Sequence, residues 1–399
     1  MMRLKIGILG CRGIPNAYGG FEEFAEKLSA GLVQKGHEVF VYNSSLHPYK
    51  KNQWQGVNII HCTDLEDRLG AAGQFIYDWN CVNDSGKRNF DILLQLGYTS
   101  NSIWHWRWPK NSIHVVNMDG MEWKRTQYSK AVRRFIKKAE ALAAKHADYL
   151  VADSPGIQKH ILDTYQKPSA YIPYAAEIFD NPDTLLLNQF CLCPYQYYLV
   201  VSRLEPENNV EMIIEGFMKS KKDYVLVIVG GINKYGKHWK EKYACEKIKF
   251  VGSIYDKNIL NNLRYFSRLH FHGHSVGGTN PSLLEAMGCG CTIAAHDNIF
   301  NKAVLGVDAE YFSDSTEVST ILNLENYSTG TKAIKEKNLN KIREIYNWEN
   351  VVAAYERLMI KAVQKRANST GQKLSKISSF MQPFHELNFT EASSVKQPN

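Results

Sequence analysis

Long hydrophobic runs are missing from this sequence. No stretch approaches the roughly 20 apolar residues that a helix needs to cross a bilayer, and the opening MMRLKIGILG enters a strand pattern rather than the apolar core of a signal peptide. A protein built on membrane-spanning helices is thereby excluded, and the chain is expected to stay in the cytoplasm. Cysteine is sparse and poorly spaced for metal. The residues at 11, 62, 81, 191, 193, 245, 289 and 291 lack zinc-ligand spacing, and several sit in apolar surroundings that suit buried free thiols. The Cys191/Cys193 and Cys289/Cys291 pairs read as alternating strand positions. A dinucleotide fingerprint is absent too. Gly10, Gly13, Gly19 and Gly20 do not make G-x-G-x-x-G, and the second expected strand runs out into Tyr42, Asn43 and Ser44 with no acidic residue for a ribose, which argues against a nicotinamide enzyme. His270, His272 and His274 alternate onto one face of an extended segment, but no carboxylate or cysteine set accompanies them, so no metal site is expected there.

What is present is the patterning of an α/β protein too long for a single core. A chain of 399 residues is expected to form two domains. Short apolar strands at 4–9, 38–42, 57–61, 91–96, 114–117 and 149–152 alternate with helical stretches, which predicts a mainly parallel sheet covered on both faces. A last strand at 171–172 meets Pro173, and the poorly periodic stretch after it marks the boundary between an N-terminal unit, 1–178, and a C-terminal unit, 179–346. The second unit repeats the logic with strands at 198–201, 224–229, 249–251, 268–271 and 291–295. Two doubly wound, Rossmann-like units facing each other leave a cleft between the carboxyl ends of their strands. The segment 347–366 contains a helix with Val351, Val352, Tyr355, Leu358 and Met359 at helical spacing, which either closes the second unit or crosses back to the first. Residues 367–399, rich in Ser, Lys, Gln and Asn, are expected to form a flexible tail.

Within the second unit, HFHGHSVGGTNPSLLEAMGCG (270–290) joins a short strand to a short helix. Gly277 and Gly278 allow close backbone approach, Asn280 can cap the helix, Pro281 suits the first helical position, and Thr279 and Asn280 are expected with the two glycines among the ligand-binding residues. The free N–H groups and positive dipole end of that helix make the loop a cradle for an anion such as a diphosphate. Glu285, about one turn on, can accept hydrogen bonds from sugar hydroxyls. His274 is the histidine nearest the loop and the one best placed to touch substrate. Taken alone, the loop reads equally well as an ordinary strand-to-helix turn of an α/β domain. The formal charge of +8 is concentrated in Lys124, Arg125, Lys130, Arg133, Arg134, Lys137, Lys138 and Lys145, which favours an anionic partner.

SRLEPENN (202–209), GGTNPSLLEAMGCG (277–290) and NWENVVAAYERL (347–358), on top of the paired α/β units, resemble glycosyltransferase family 4, whose members have the GT-B fold. GCRGIPNAYGGFEEF (10–24), NMDGMEWKR (117–125), RLEPENN and HSVGGTNPSLLEAM bring the likeness closer to its bacterial rhamnosyltransferase-like subgroup. The resemblance covers the chain to about residue 365. It implies a retaining hexosyltransferase that moves a sugar, L-rhamnose for this subgroup, from a nucleotide diphosphate donor to a hydroxyl without a bound metal or other cofactor. On that likeness Arg203 neutralises the leaving diphosphate, Glu285 binds the donor ribose, and Gly19 and Gly20 back the donor as the cleft shuts. Asp119 stands where many relatives have a His near the reacting carbons, and holds a sugar or acceptor hydroxyl; its other reading is a turn-forming Asp before Gly120. Glu122 is similarly placed. Two positions depart from the family pattern: its Lys falls on Asn208 and its first glutamate on Gly277, so one cation is missing from the donor site. Arg12, on the glycine-rich loop across the cleft, is the candidate replacement.

The expected partners are a nucleotide-sugar donor, a lipid-linked saccharide acceptor of polysaccharide biosynthesis, and an anionic inner-leaflet surface holding the protein peripherally; nucleic acid is not among them. Membrane attachment falls to the basic helix, with Val132, Phe135, Ile136, Ala139 and Leu142 as its apolar side, the other reading being a domain helix with a solvated charged face. The competing functions are a nucleotide-sugar epimerase of the same architecture and a catalytically degenerate binding protein.

Overall fold

A computed structural model describes residues 2–369 apart from 18, 126 and 325–329. The stretch expected to be a tail therefore lies, from residue 370 on, outside the described residues. The N-terminal unit is built on eight strands: β1 (Lys5–Leu9), β2 (Glu38–Ser44), β3 (Gln53–Trp54), β4 (Val57–Cys62), β5 (Ile92–Leu96), β6 (Ile113–Asn117), β7 (Tyr149–Ala152) and β8 (Ala170–Tyr171). Their order in the sheet is β3-β4-β2-β1-β5-β6-β7-β8, and every pairing is parallel except β3 with β4. The C-terminal unit holds β9 (Tyr197–Val201), β10 (Val225–Val229), β11 (Ile248–Gly252), β12 (Leu269–His272), β13 (Ile293–His296) and β14 (Glu310–Phe312). These run parallel throughout, in the order β11-β10-β9-β12-β13-β14.

Strands such as ILLQL (β5) and IHVVN (β6) are buried along their whole length, because helices cover both faces of a parallel sheet and no solvated face calls for alternation. The strands that apolar patterning does not reveal, β3 and β14, have two and three residues and are too short to show a period. The paired cysteines are not strand residues. Cys191 caps a short 3₁₀ helix in the left-handed region at φ 50°, and Cys289 caps a helix end.

The helix Trp348–Ser369 crosses back to the first unit. Its Trp348 and Tyr355 pack on Phe24 of the Gly20–Gln34 helix with ring centroids 5.9 and 5.5 Å apart. Gly31 permits the close approach, since a Cβ there would stand 2.6 Å from Val352. Polar anchors finish the seam: Asn117 Nδ2 donates to the buried Tyr355 hydroxyl at 3.1 Å, and Glu356 pairs with Lys35 at 3.0 Å and His37 at 3.2 Å. One continuous apolar cluster runs from Ile6 and Ile8 of β1 through Tyr174 and Ala176 to Leu284 and Met287, so the two units share a core on the hinge side of the cleft.

Candidate active site

Two loops meet at the carboxyl ends of the sheets. From the second unit, the loop after β12 leads into the helix Pro281–Gly288, with Asn280 as N-cap accepting the Ser282 N–H at 3.0 Å. From the first unit come the turn after β6, with Asp119 and Gly120, and the residues after β7, Asp153 and Ser154. The loops touch: a Cβ on Gly120 would lie 3.1 Å from Gly277 Cα, and one on Gly278 would lie 1.9 Å from Asp153 Oδ1. Gly20 faces Pro281 across the same gap, with 3.8 Å between the site of its Cβ and Pro281 Cγ.

Arg203 is exposed at this junction, and its side chain has no hydrogen-bond or ion-pair partner among the described residues. Its charge reaches Asp119 and His274. Burial, and then the charges of Arg203 and Arg125, push His274 down to about 3, so the ring is neutral at neutral pH and can donate one hydrogen bond. Asp119 sits in the left-handed region at φ 48°, held by its N–H to Asn117 Oδ1 at 3.0 Å. Burial and the neighbouring Glu122 raise it to about 6, while Arg125 and Arg203 oppose the rise. A carboxyl poised there can accept a hydrogen bond from a sugar hydroxyl and exchange a proton near neutrality.

Three of the residues singled out from sequence have their side chains engaged elsewhere. Arg12 makes a two-bond pair with Glu66, Nε to Oε2 at 2.9 Å and Nη2 to Oε1 at 2.5 Å, so its charge is met inside the first unit and it does not stand in for the missing cation. Asn208 is 2% exposed and turns its amide back onto Arg203 O at 2.7 Å, which shapes the loop that carries Arg203. Thr279 is bound to the other unit: its N–H donates to Asp153 Oδ2 at 3.1 Å and its hydroxyl to Asp153 O at 2.5 Å. The N–H groups of Gly277 and Gly278 have no acceptor among the described residues and are available to an anion. Glu285 pairs through Oε2 with the buried Arg264 at 2.5 Å, which supplies the counter-charge that a buried guanidinium requires. Gly19 caps the Gly20–Gln34 helix through its backbone. Gly277 has φ +141° and open space where a Cβ would point; a glutamate would fit by volume but would be strained by conformation.

Patterning alone hid other members of the site. Arg125, grouped by sequence with the basic helix, precedes it: Ser129 caps the helix Lys130–His146, and Arg125 lies in the turn before, tied to Glu122 at 2.6 Å and 4.0 Å from Glu207 of the opposite unit. The Ser129 cap was the signal that divides the segment. Asp153 stands next to Ser154, which caps the Pro155–Tyr165 helix, and itself reaches across the cleft. Lys257 and Glu23 pair between the units as well. Among the described residues no group of three or more His, Cys, Asp or Glu is placed to hold a metal ion; His270 and His272 are buried, and His272 stacks on His274 with centroids 4.3 Å apart.

The basic helix is rotated from its expected orientation. Its inward face is Ile136, Ala139, Glu140, Ala143 and Ala144, while Val132 and Phe135 are 41% and 36% exposed. Glu140 fixes the rotation by accepting hydrogen bonds from Tyr98, Trp123, His160 and Tyr165, four donors that hold a carboxylate inside the unit.

Residues 194–318 match the family model of glycosyl transferases group 1, and residues 3–177 match a domain of unknown function (DUF1972). No curated protein matches the chain. Among solved structures, sucrose-phosphate synthase from Thermosynechococcus elongatus is similar at TM-score 0.73 and 14% identity, over 91% of this chain and 100% of that one. A glycosyltransferase from Rickettsia africae gives TM-score 0.66 and 14% identity over 90% and 99%. Anabaena HepE in complex with UDP gives 0.67 and 15% over 93% and 100%. The fold is GT-B, two Rossmann-like units facing across a cleft. The group 1 match and these neighbours together support a GT-B glycosyltransferase.

Proposed function

We propose that the chain transfers a sugar, with retention of configuration, from a nucleoside diphosphate donor to a hydroxyl of a lipid-linked saccharide in surface polysaccharide synthesis. The observation that carries this reading is Arg203. An exposed guanidinium without a partner among the described residues stands beside a helix N-terminus, facing a neutral imidazole and a poised carboxyl, which suits charge that develops on a leaving diphosphate. In this reading Arg203 and the N–H groups of Gly277 and Gly278 take the diphosphate. The leaving phosphate oxygen accepts the acceptor's proton as the sugar gains oxocarbenium character, so no protein nucleophile is invoked. Asp119 and His274 orient hydroxyls, Gly19 and Gly20 back the donor, and Glu285 meets the ribose with the oxygen that Arg264 leaves. No bound metal enters the scheme.

Anabaena HepE has been solved with UDP and with UDP and glucose, which supports a nucleoside diphosphate ligand for the matching cleft here. Deoxythymidine diphosphate L-rhamnose is our proposed donor, on the likeness of the first-unit strings. The acceptor's lipid would be met at the inner face of the plasma membrane, where the protein would sit peripherally. The exposed Val132 and Phe135, flanked by Lys130, Arg134, Lys137 and Lys138, together with Trp106 at 61% exposure, form a surface suited to anionic lipid. Among the described residues no helix is long and apolar enough to cross a membrane.

The test is a panel of UDP-, GDP- and dTDP-sugars scored by thermal stabilisation and then by transfer. One donor is expected to raise the melting temperature, and Arg203→Ala is expected to lower turnover with that donor by about a hundredfold or more while the unliganded melting temperature holds. A panel without any stabilising nucleotide, or near wild-type transfer by Arg203→Ala, would overturn the reading.

A further inference from the structure

A cavity of about 550 Å³ lies at the far end of the first sheet, within the roughly 300–1,000 Å³ typical of small-molecule sites. It opens where β6 and β7 begin, under the last turns of the crossing helix, whereas Asp119 and Asp153 follow the other ends of the same two strands. The five residues of β6 alone put roughly 16 Å between this cavity and the cleft.

Its wall is rich in donors and poor in acceptors. Lys110 and Lys365 are exposed, and neither ammonium group has a hydrogen-bond or ion-pair partner among the described residues. Arg366 joins the rim, donating to Asn111 O at 3.0 Å and Lys110 O at 2.7 Å. Asp148 is the sole carboxylate in the lining among the described residues, and one of its oxygens already accepts the His114 backbone N–H at 2.8 Å. Three cations against one anion leave a local surplus of two positive charges. Trp108, 7% exposed, has an indole N–H with no acceptor among the described residues, a donor that costs free energy when left unmade.

The same wall offers flat ring surface. His105 and His146 stack with centroids 3.9 Å apart and planes 19° from parallel. Burial, with His105, Lys145 and Lys167 close by, holds His146 below its ordinary range. Surface lysines are commonly solvated and single. Here two stand around one concave space with a guanidinium, an unpartnered indole and a stacked imidazole pair, and that combination matches a ligand with a doubly charged group at one end and a planar ring at the other.

We propose that this cavity is a second ligand site, separate from the cleft and independent of its assigned reaction, which takes a phosphate ester bearing a planar ring, such as a nucleoside monophosphate. The phosphate lies between Lys110 and Lys365, and the ring lies on the His105/His146 pair. Because both ammonium groups are partly solvated, the attraction weakens with salt.

Pyridoxal 5′-phosphate is a direct probe, being a phosphate ester on a planar ring. Its aldehyde carbon condenses with a lysine amine, water leaves, and borohydride delivers hydride to the imine carbon while solvent protonates nitrogen, fixing the label. In the full-length protein, peptide mapping is expected to find Lys110 or Lys365 labelled ahead of exposed lysines such as Lys87 and Lys221, with protection by AMP but not by adenosine. Arg203→Ala should label in the same way, which separates this site from the cleft. Lys110→Glu with Lys365→Glu, both at exposed positions, should leave the melting temperature in place and weaken AMP binding in calorimetry by about tenfold or more. Labelling spread evenly over exposed lysines, absence of AMP protection, or unchanged AMP affinity in the double variant would each overturn the proposal.

Discussion

At Asp153 a single carboxyl couples burial to the meeting of the two units. It is pushed up to about 8 from an ordinary 3.8, first by burial and then by the charge of Asp119, although Thr279 and Ser154 hydrogen bonds pull the other way. The folded state therefore binds this proton more tightly than the unfolded chain. Its contribution to stability is complete below about 3.8 and is lost as pH rises to about 8, with a slope of up to about 1.4 kcal/mol per pH unit in between. Asp153→Asn keeps an oxygen for the Thr279 N–H and removes the titration. Urea denaturation at steps from pH 5 to 8 should show the variant gaining on the wild type as pH rises, with Asp119 titrating in both. Parallel profiles would mean that Asp153 is ionised in the folded protein. Gly277 makes a related point without titration. The residue that departs from the family's glutamate has φ +141°, so here the backbone, and not a lost carboxylate, determines the loop's shape.

The Lys130–His146 helix shows how far periodicity carries and where it stops. Its existence is legible in the sequence, but its orientation is not, because Glu140 looks like a solvent-facing residue until Tyr98, Trp123, His160 and Tyr165 converge on it. With Glu140 inside, Val132 and Phe135 turn outward beside Lys130, Arg134, Lys137 and Lys138. Most strands were readable for the opposite reason: a covered parallel sheet needs apolar runs, and runs such as those of β5 and β6 have no other use. If the outward face meets anionic lipid, Phe135→Ser should weaken binding through lost apolar contact, and Arg134→Glu with Lys138→Glu should weaken it further and abolish its salt dependence. Flotation with vesicles of phosphatidylglycerol and phosphatidylethanolamine reads this out, and each charge is worth about 1 kcal/mol near such a surface. Equal flotation of all variants, or none by the wild type, would remove this face from membrane docking.

Contacts across the cleft hold the whole molecule in a closed arrangement. They include Thr279 with Asp153, Lys257 with Glu23, Arg125 near Glu207, and Gly120 against Gly277. None of these pairs is visible in one sequence, since each joins residues far apart in the chain and carries no local pattern. Gly277 and Gly278 stand out from sequence because loop chemistry is local, and Arg203 through the family resemblance; Arg125 and Asp153 join them only once the units have met. Closure of this kind expels water and completes a site from two halves. A single hydrogen bond contributes about 0.5–1.5 kcal/mol, so losing the Thr279 hydroxyl should shift the closed-to-open ratio by roughly 2- to 12-fold. Thr279→Val tests this while keeping the N–H and the shape. Small-angle scattering is expected to show a radius of gyration larger by on the order of 1 Å in the unliganded variant, returning to the wild-type value with saturating donor nucleotide. The Kd for that nucleotide should rise in inverse proportion to the closed fraction, because only the closed form presents both halves. An unchanged radius with an unchanged Kd would show that the Asp153 contact follows closure without helping to drive it.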